Sequence, residues 1–148
     1  MQPKSIDDVK AKIPELLEQV PYLKLLVLFG SRAREDNDES SDWDFAMLFD
    51  EKLRQKHESS DGSNSYRSWT ILQDLLDLGD DEIDWVDLKH ASELLANAIG
   101  RDGVVIYARD PDLFGIFRQQ VLLDKQQLKA IRHQQNIELE AALVQLGV

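Results

Sequence analysis

The chain contains no cysteine, which excludes disulfides, thiolate nucleophiles and zinc–thiolate sites together and suits a reducing compartment. It also lacks an apolar run of membrane-spanning length, and its first thirty residues hold no basic stretch followed by an apolar one. Neither a membrane anchor nor a secretory leader is expected, and the expected location is the cytoplasm. Positive charge is scarce as well. Lys and Arg number 17 against 28 Asp and Glu, a net charge of −11, so the chain would repel a phosphate backbone and direct nucleic-acid binding is not expected. The same acidity suits a basic protein partner or divalent cations, or serves solubility alone.

What is present suffices for one core: 148 residues with 43% hydrophobic content can fold without staples. Ser5 and Asp8 have the spacing of a capping box, and Ile6, Val9, Ile13, Leu16, Leu17 and Val20 recur at helical intervals, with Pro14 restarting or kinking the helix. Leu25 to Phe29 is a continuous apolar run ending at Gly30, as in a strand covered on both faces. Residues 30–41 read as a loop with one helical turn near Ala33, and Asp42 to Phe49 as the second strand. Polar residues 51–65, including Ser59-Ser60-Asp61-Gly62-Ser63, read as a mobile loop. A helix from Trp69 is expected to end at Gly79. A strand from Glu82 to Leu88, a helix capped by Ser92 and a strand from Gly103 to Tyr107 follow. Beyond Asp110-Pro111 the chain reads as helical, with a stripe of Leu128, Ile131, Leu139, Ala142 and Leu146 that is first expected in a core; Ile137, Ala141 and Val144 lie off the stripe and favour a partner. Residues 1–110 are thus expected to form the domain, and 111–148 a helical extension packed on it or on a partner.

Eighteen aspartates should give about two D-x-D triplets by chance. The chain has three, at Asp36/Asp38, Asp42/Asp44 and Asp110/Asp112, so only setting distinguishes them. Asp36-Asn37-Asp38 fails as a calcium loop because Ser41 and Met47 stand where an EF-hand needs Gly and Glu. His57, His90 and His133 have no ligand spacing. Asp42 and Asp44 differ, because they enter an apolar strand from which both side chains project on one face. Asp84 and Asp87 fall on opposite faces of the next strand, so at most one can join them. Paired carboxylates are hard ligands suited to Mg²⁺ and phosphate substrates. Gly30 permits close backbone approach to a phosphate, Ser31 offers a hydroxyl, and Arg32 and Arg34 could neutralise a triphosphate or pair with the acidic loop.

Gly30-Ser31, ten intervening residues and Asp42-Trp43-Asp44 resemble the signature of the polymerase-beta-like nucleotidyltransferases, in particular their minimal (MNT) branch. Leu26 to Arg34 is similar to that family's strand and phosphate loop, and Ile83 to Leu88 to its third-aspartate strand; the resemblance covers about residues 10–108. It departs at Glu35, where members often carry Gly, and in a longer loop after Asp50. The resemblance implies an α/β fold, a small mixed sheet flanked by helices, followed here by a C-terminal helical tail. It implies Asp42, Asp44 and Asp84 as metal ligands and catalytic groups, Gly30, Ser31, Arg32 and Arg34 as nucleotide-binding groups, two Mg²⁺ ions and ATP. Stand-alone members resemble antitoxins of type VII-like HEPN/MNT toxin–antitoxin modules, which transfer AMP to a tyrosine of the HEPN toxin, an RNase, in a hetero-oligomer. The alternatives are adenylylation of a small hydroxylated molecule such as an aminoglycoside, a binding-only antitoxin acting by steric occlusion, and an acidic DNA mimic.

Overall fold

The computed structural model describes residues 1–58 and 67–147. Helix α1 (Ile6–Lys10) opens at the expected capping box, with Ser5 Oγ accepting from the Asp8 amide at 3.3 Å and the Asp8 carboxylate accepting from the Ser5 amide at 3.2 Å. Pro14 does not kink one long helix. It sits in the first turn of a second, α2 (Ile13–Gln19), where its missing N–H would have no helical partner.

Four strands follow: β1 (Leu23–Phe29), β2 (Trp43–Phe49), β3 (Ile83–Asp87) and β4 (Val104–Ala108). They form one mixed sheet in the order β3-β2-β1-β4, with β1 antiparallel to β2 and β4, and β2 parallel to β3. Central β1 is apolar from Leu25 to Phe29 because both its faces are covered there. Leu26 and Leu28 join Phe45 and Met47 against α1, α2 and α5 (Arg67–Leu76), whose Val9, Leu16, Trp69 and Leu72 are buried. Leu25 and Val27 join Ala46 on the opposite face, under Ile99 of α6 (Glu93–Asp102) and Phe114 and Phe117 of α7 (Leu113–Val121). Truncating one of these fully buried leucines to alanine should cost about 2–5 kcal/mol.

The structure departs from expectation in three places. Residues 51–58 are not loop but helix α4 (Glu51–Glu58): the Asp50 carboxylate accepts from the Leu53 amide at 3.1 Å and its carbonyl from the Arg54 amide at 2.8 Å, which starts the helix. The Ser59–Ser63 stretch lies outside the described residues. Helix α5 ends before Gly79, since the left-handed residue after its last turn is Asp77 at φ 55°. Finally, the tail breaks into α7 and α8 (Lys125–Gln145), the latter started by an Asp124–Gln127 capping box. The stripe on α8 is not core of this chain: Leu128 and Ile131 are half-covered, whereas Leu139 is 58% and Leu146 75% exposed. Among the described residues no helix is long and apolar enough to cross a membrane.

Candidate active site

The end of β1 meets the beginning of β2 because the two strands are antiparallel, with Phe29 opposite Asp44. The chain must then turn sharply, and Gly30 does so at φ 75° and ψ −157°, a region essentially reserved for glycine. A Cβ at this position would collide with the Asp44 carboxylate. Gly30 is therefore required twice, for its dihedral angles and for the closeness of Asp44. Short helix α3 (Ser31–Arg34) follows, with Ser31 and Arg32 half-buried. It is closed by Glu35 in the left-handed conformation at φ 63°, its amide donating to the Ser31 carbonyl. The resemblance leads one to expect Gly at this position, and the backbone of Glu35 is left-handed, as a glycine's readily is.

Parallel pairing sets Asp44 directly beside Asp84 on the neighbouring strand. Asp84 is exposed, and its Oδ1 accepts from the amide of Trp85 at 2.9 Å. Asp42 is also exposed, immediately before β2. Asp44 is half-buried, and burial above all, then the charges of Asp84 and Asp42, push its carboxyl up to about 6 from the usual 3.8, while Arg34 pulls it down. Three carboxylates thus share one electrostatic field at one end of the sheet. Asp87 goes elsewhere: it accepts from the Lys89 amide at 3.0 Å and stands 3.9 Å from Arg54.

The two arginines separate. Arg34 is exposed, bonded through Nε to Asp36 at 3.2 Å, and its charge acts on Asp44. Arg32 instead donates Nε–H to the Ser41 carbonyl at 3.0 Å and lies over the Trp43 ring, 4.2 Å from its centre. This Arg32–Trp43 contact was missed in the sequence, where its only trace is a large aromatic residue set between two aspartates. Ser41 belongs to a turn held by Asp38, whose carboxyl is pulled below the ordinary range, first by bonding to Ser40.

Among the described residues no three His, Cys, Asp or Glu side chains already stand close enough together to enclose an ion. The donor set nevertheless fits a divalent cation. Asp42, Asp44 and Asp84 offer only hard oxygens, and the mutual repulsion that raises Asp44 is what such a cation would relieve.

A glycine turn and a half-helix facing clustered carboxylates, on a mixed sheet with helices on both faces, define a nucleotidyltransferase domain. The family described as "Polymerase beta, Nucleotidyltransferase" matches residues 11–112, and the chain belongs to it. The protein adenylyltransferase MntA of Aphanizomenon flos-aquae (strain 2012/KM1/D3) is 39% identical over 133 residues, 90% of this chain and 89% of that relative. The protein adenylyltransferase MntA of Shewanella oneidensis is 30% identical over 108 residues, covering 71% of this chain and 70% of its own length. Two solved structures share the fold. One is a toxin–antitoxin with AMP-PNP, with a TM-score of 0.57 at 24% identity over 94% of this chain and 98% of the other. The second is the tri-AMPylated Shewanella oneidensis HEPN toxin in complex with MNT antitoxin, with a TM-score of 0.55 at 23% identity over 97% and 99% of the respective chains.

Proposed function

We propose that this protein is a cytoplasmic antitoxin that transfers AMP from ATP to a tyrosine hydroxyl of a cognate HEPN toxin and thereby inactivates it. The observation that carries the chemistry is the placement of Asp44 against Gly30 and in register with Asp84. The 39% identity to a protein adenylyltransferase over nine-tenths of the chain supports the acceptor class. Asp42, Asp44 and Asp84 would hold two Mg²⁺ ions, which when bound neutralise the charge of the triphosphate. Gly30 lets the backbone approach the phosphates, Ser31 donates its hydroxyl to a phosphate oxygen, and Arg34 supplies counter-charge. The tyrosine oxygen attacks the α-phosphorus, the new O–P bond forms as the bond to the bridging oxygen breaks, and pyrophosphate leaves. Asp84, exposed at the sheet end, accepts the proton of the attacking hydroxyl. Positioning and charge neutralisation account for most of such a transfer.

In the same reading residues 1–110 carry the chemistry and 111–148 the extension, with α8 offering the toxin the apolar groups that this chain leaves uncovered. The test is to incubate the cognate HEPN protein with this chain, Mg²⁺ and ATP, separate the two under denaturing conditions, refold the toxin and measure its mass and RNase activity. An added AMP on a tyrosine peptide with lasting loss of RNase activity is expected. Unmodified toxin that regains activity would establish steric occlusion instead.

A further inference from the structure

One guanidinium grips both neighbours of Asp42. Arg32 bonds to the carbonyl of Ser41, the residue before it, at 3.0 Å and covers the ring of Trp43, the residue after it, at 4.2 Å. Both points of attachment are themselves fixed. Trp43 is only 4% exposed, stacks on Phe45 with ring centres 6.1 Å apart, and its amide donates to the Glu82 carbonyl at 2.9 Å. The Ser41 amide donates to the Asp38 carbonyl at 3.2 Å, and the Asp38 carboxylate accepts the Ser40 amide at 2.8 Å and hydroxyl at 2.6 Å. Between two anchored residues, the main chain at Asp42 has little freedom left.

We propose that Arg32 is a positioning residue that sets where the Asp42 carboxylate stands beside Asp44, and is not a phosphate ligand; this rests on the nucleotidyl-transfer reading above. A guanidinium that grips phosphate does so through its planar donor fork. Here Nε–H is engaged by Ser41 and one face by Trp43, so the side-on fork through Nε is closed to a triphosphate unless the turn that places Asp42 is released. Arg34 is the arginine whose charge acts on Asp44, and its own Nε–H bond goes to the exposed carboxylate of Asp36, so serving the phosphates would release a surface pair and not the Asp42 turn. Lysine could not replace Arg32, since a compact ammonium cannot lie flat on the indole and reach the Ser41 carbonyl at once.

The variants are Arg32→Gln, Arg32→Lys and Trp43→Phe in the full chain, with Arg34→Gln as contrast. Hydrogen exchange of the metal-free proteins is the first measurement: in Arg32→Gln the amides of Ser40, Ser41 and Trp43 should exchange about tenfold faster or more, with those of central β1 unchanged. Transfer kinetics come second. The Mg²⁺ concentration for half-maximal rate should rise about fivefold and kcat should fall while KM for ATP stays within about twofold, the pattern of a misplaced carboxylate and not of lost substrate binding. Arg32→Lys and Trp43→Phe should move the same quantities in the same direction, and Arg34→Gln should raise KM for ATP instead. Wild-type exchange in Arg32→Gln overturns the proposal, as does a large rise in its KM for ATP, and faster exchange with wild-type Mg²⁺ dependence does so too. If the wild-type chain transfers no nucleotide, the functional reading fails by itself, and the exchange measurement still decides whether Arg32 holds the Asp42 turn.

Discussion

Replacing Asp44 by asparagine should make the metal-free protein more stable while removing its activity. The Asp44 carboxyl is raised from 3.8 to about 6, first by burial and then by Asp84 and Asp42. An acid held above its unfolded value binds its proton more tightly in the folded state. Stability therefore falls as pH rises from about 4 to about 6, and above that the loss is complete. At full weight a rise of about two pH units corresponds to ~3 kcal/mol. Asp44 is only half-buried, so water screens the repulsion, and about 1 kcal/mol is the figure to expect. Asparagine keeps the shape and deletes the charge, so Asp44→Asn should match wild type near pH 4 and exceed it by about 1 kcal/mol at pH 7 to 8.

Urea denaturation in EDTA at a series of pH values measures this difference directly. On the proposed reading Mg²⁺ should then reverse the order, because a ligand that binds only the folded state adds stability in proportion to its occupancy, and the variant would lack one of the carboxylates that hold it. Activity should be lost at every pH. The reasoning is refuted if Asp44→Asn is less stable than wild type at pH 7.5 in EDTA, or if the gap between the two does not widen between about pH 4 and 6.

Gly30→Ala forces a side chain into a glycine-only conformation and against the Asp44 carboxylate; it should cost about 2 kcal/mol or more in urea denaturation and abolish transfer. Glu35→Gly should do the opposite, gaining roughly 1 kcal/mol by relieving a left-handed residue at φ 63°, with transfer retained; a destabilised variant would show that Glu35 makes compensating contacts. Asp84→Ala should lower kcat by about a hundredfold or more. Asp87→Ala, which removes the cap on the Lys89 amide and the Arg54 pair, should leave kcat intact and cost about 1 kcal/mol; an exchange of these two phenotypes would place the catalytic face on the wrong side of β3.

The carboxylate cluster was legible because strand alternation is a local rule: once Phe45 to Phe49 reads as a strand, the common face of Asp42 and Asp44 follows, and the same rule divides Asp84 from Asp87. The partner of Gly30 was not legible. A glycine announces that something approaches closely, but that the approaching group is the Asp44 carboxylate depends on the β1–β2 register. The contacts of Arg32 were not legible for the same reason, since charge near a phosphate loop suggests phosphate, and its bond to the Ser41 carbonyl joins residues nine apart through a turn that periodicity does not reveal. Helix α4 escaped notice because Leu53 is its one large apolar residue, which leaves periodicity nothing to count. Gly79 drew the end of α5 too far because Asp can also adopt the left-handed conformation, at modest cost. The stripe on α8 was expected first in a core, but a stripe states only that something covers it, and within this chain little covers Leu139 or Leu146.

Why the site needs a mixed sheet follows from where each strand begins. Antiparallel pairing of β1 and β2 brings the end of one to the start of the next, so the glycine turn and Asp44 meet although the short helix α3 and an acidic loop separate them. Parallel pairing of β2 and β3 then puts the two strand starts side by side, with Asp44 opposite Asp84. Had β3 run antiparallel over the same five pairs, Asp84 would stand opposite Ala46, about 7 Å further along at about 3.3 Å per residue, and the second cause of the rise at Asp44 would weaken. A parallel pair requires a crossover, and the segment between β2 and β3 supplies it as α4 and α5, whose Trp69, Leu72 and Leu76 bury one face of the sheet. The chain that builds the core is thus the chain that delivers the third carboxylate, which is why a core substitution such as Leu72→Ala should disturb catalysis only through stability, whereas a change at Asp84 should disturb catalysis directly, without opening the core.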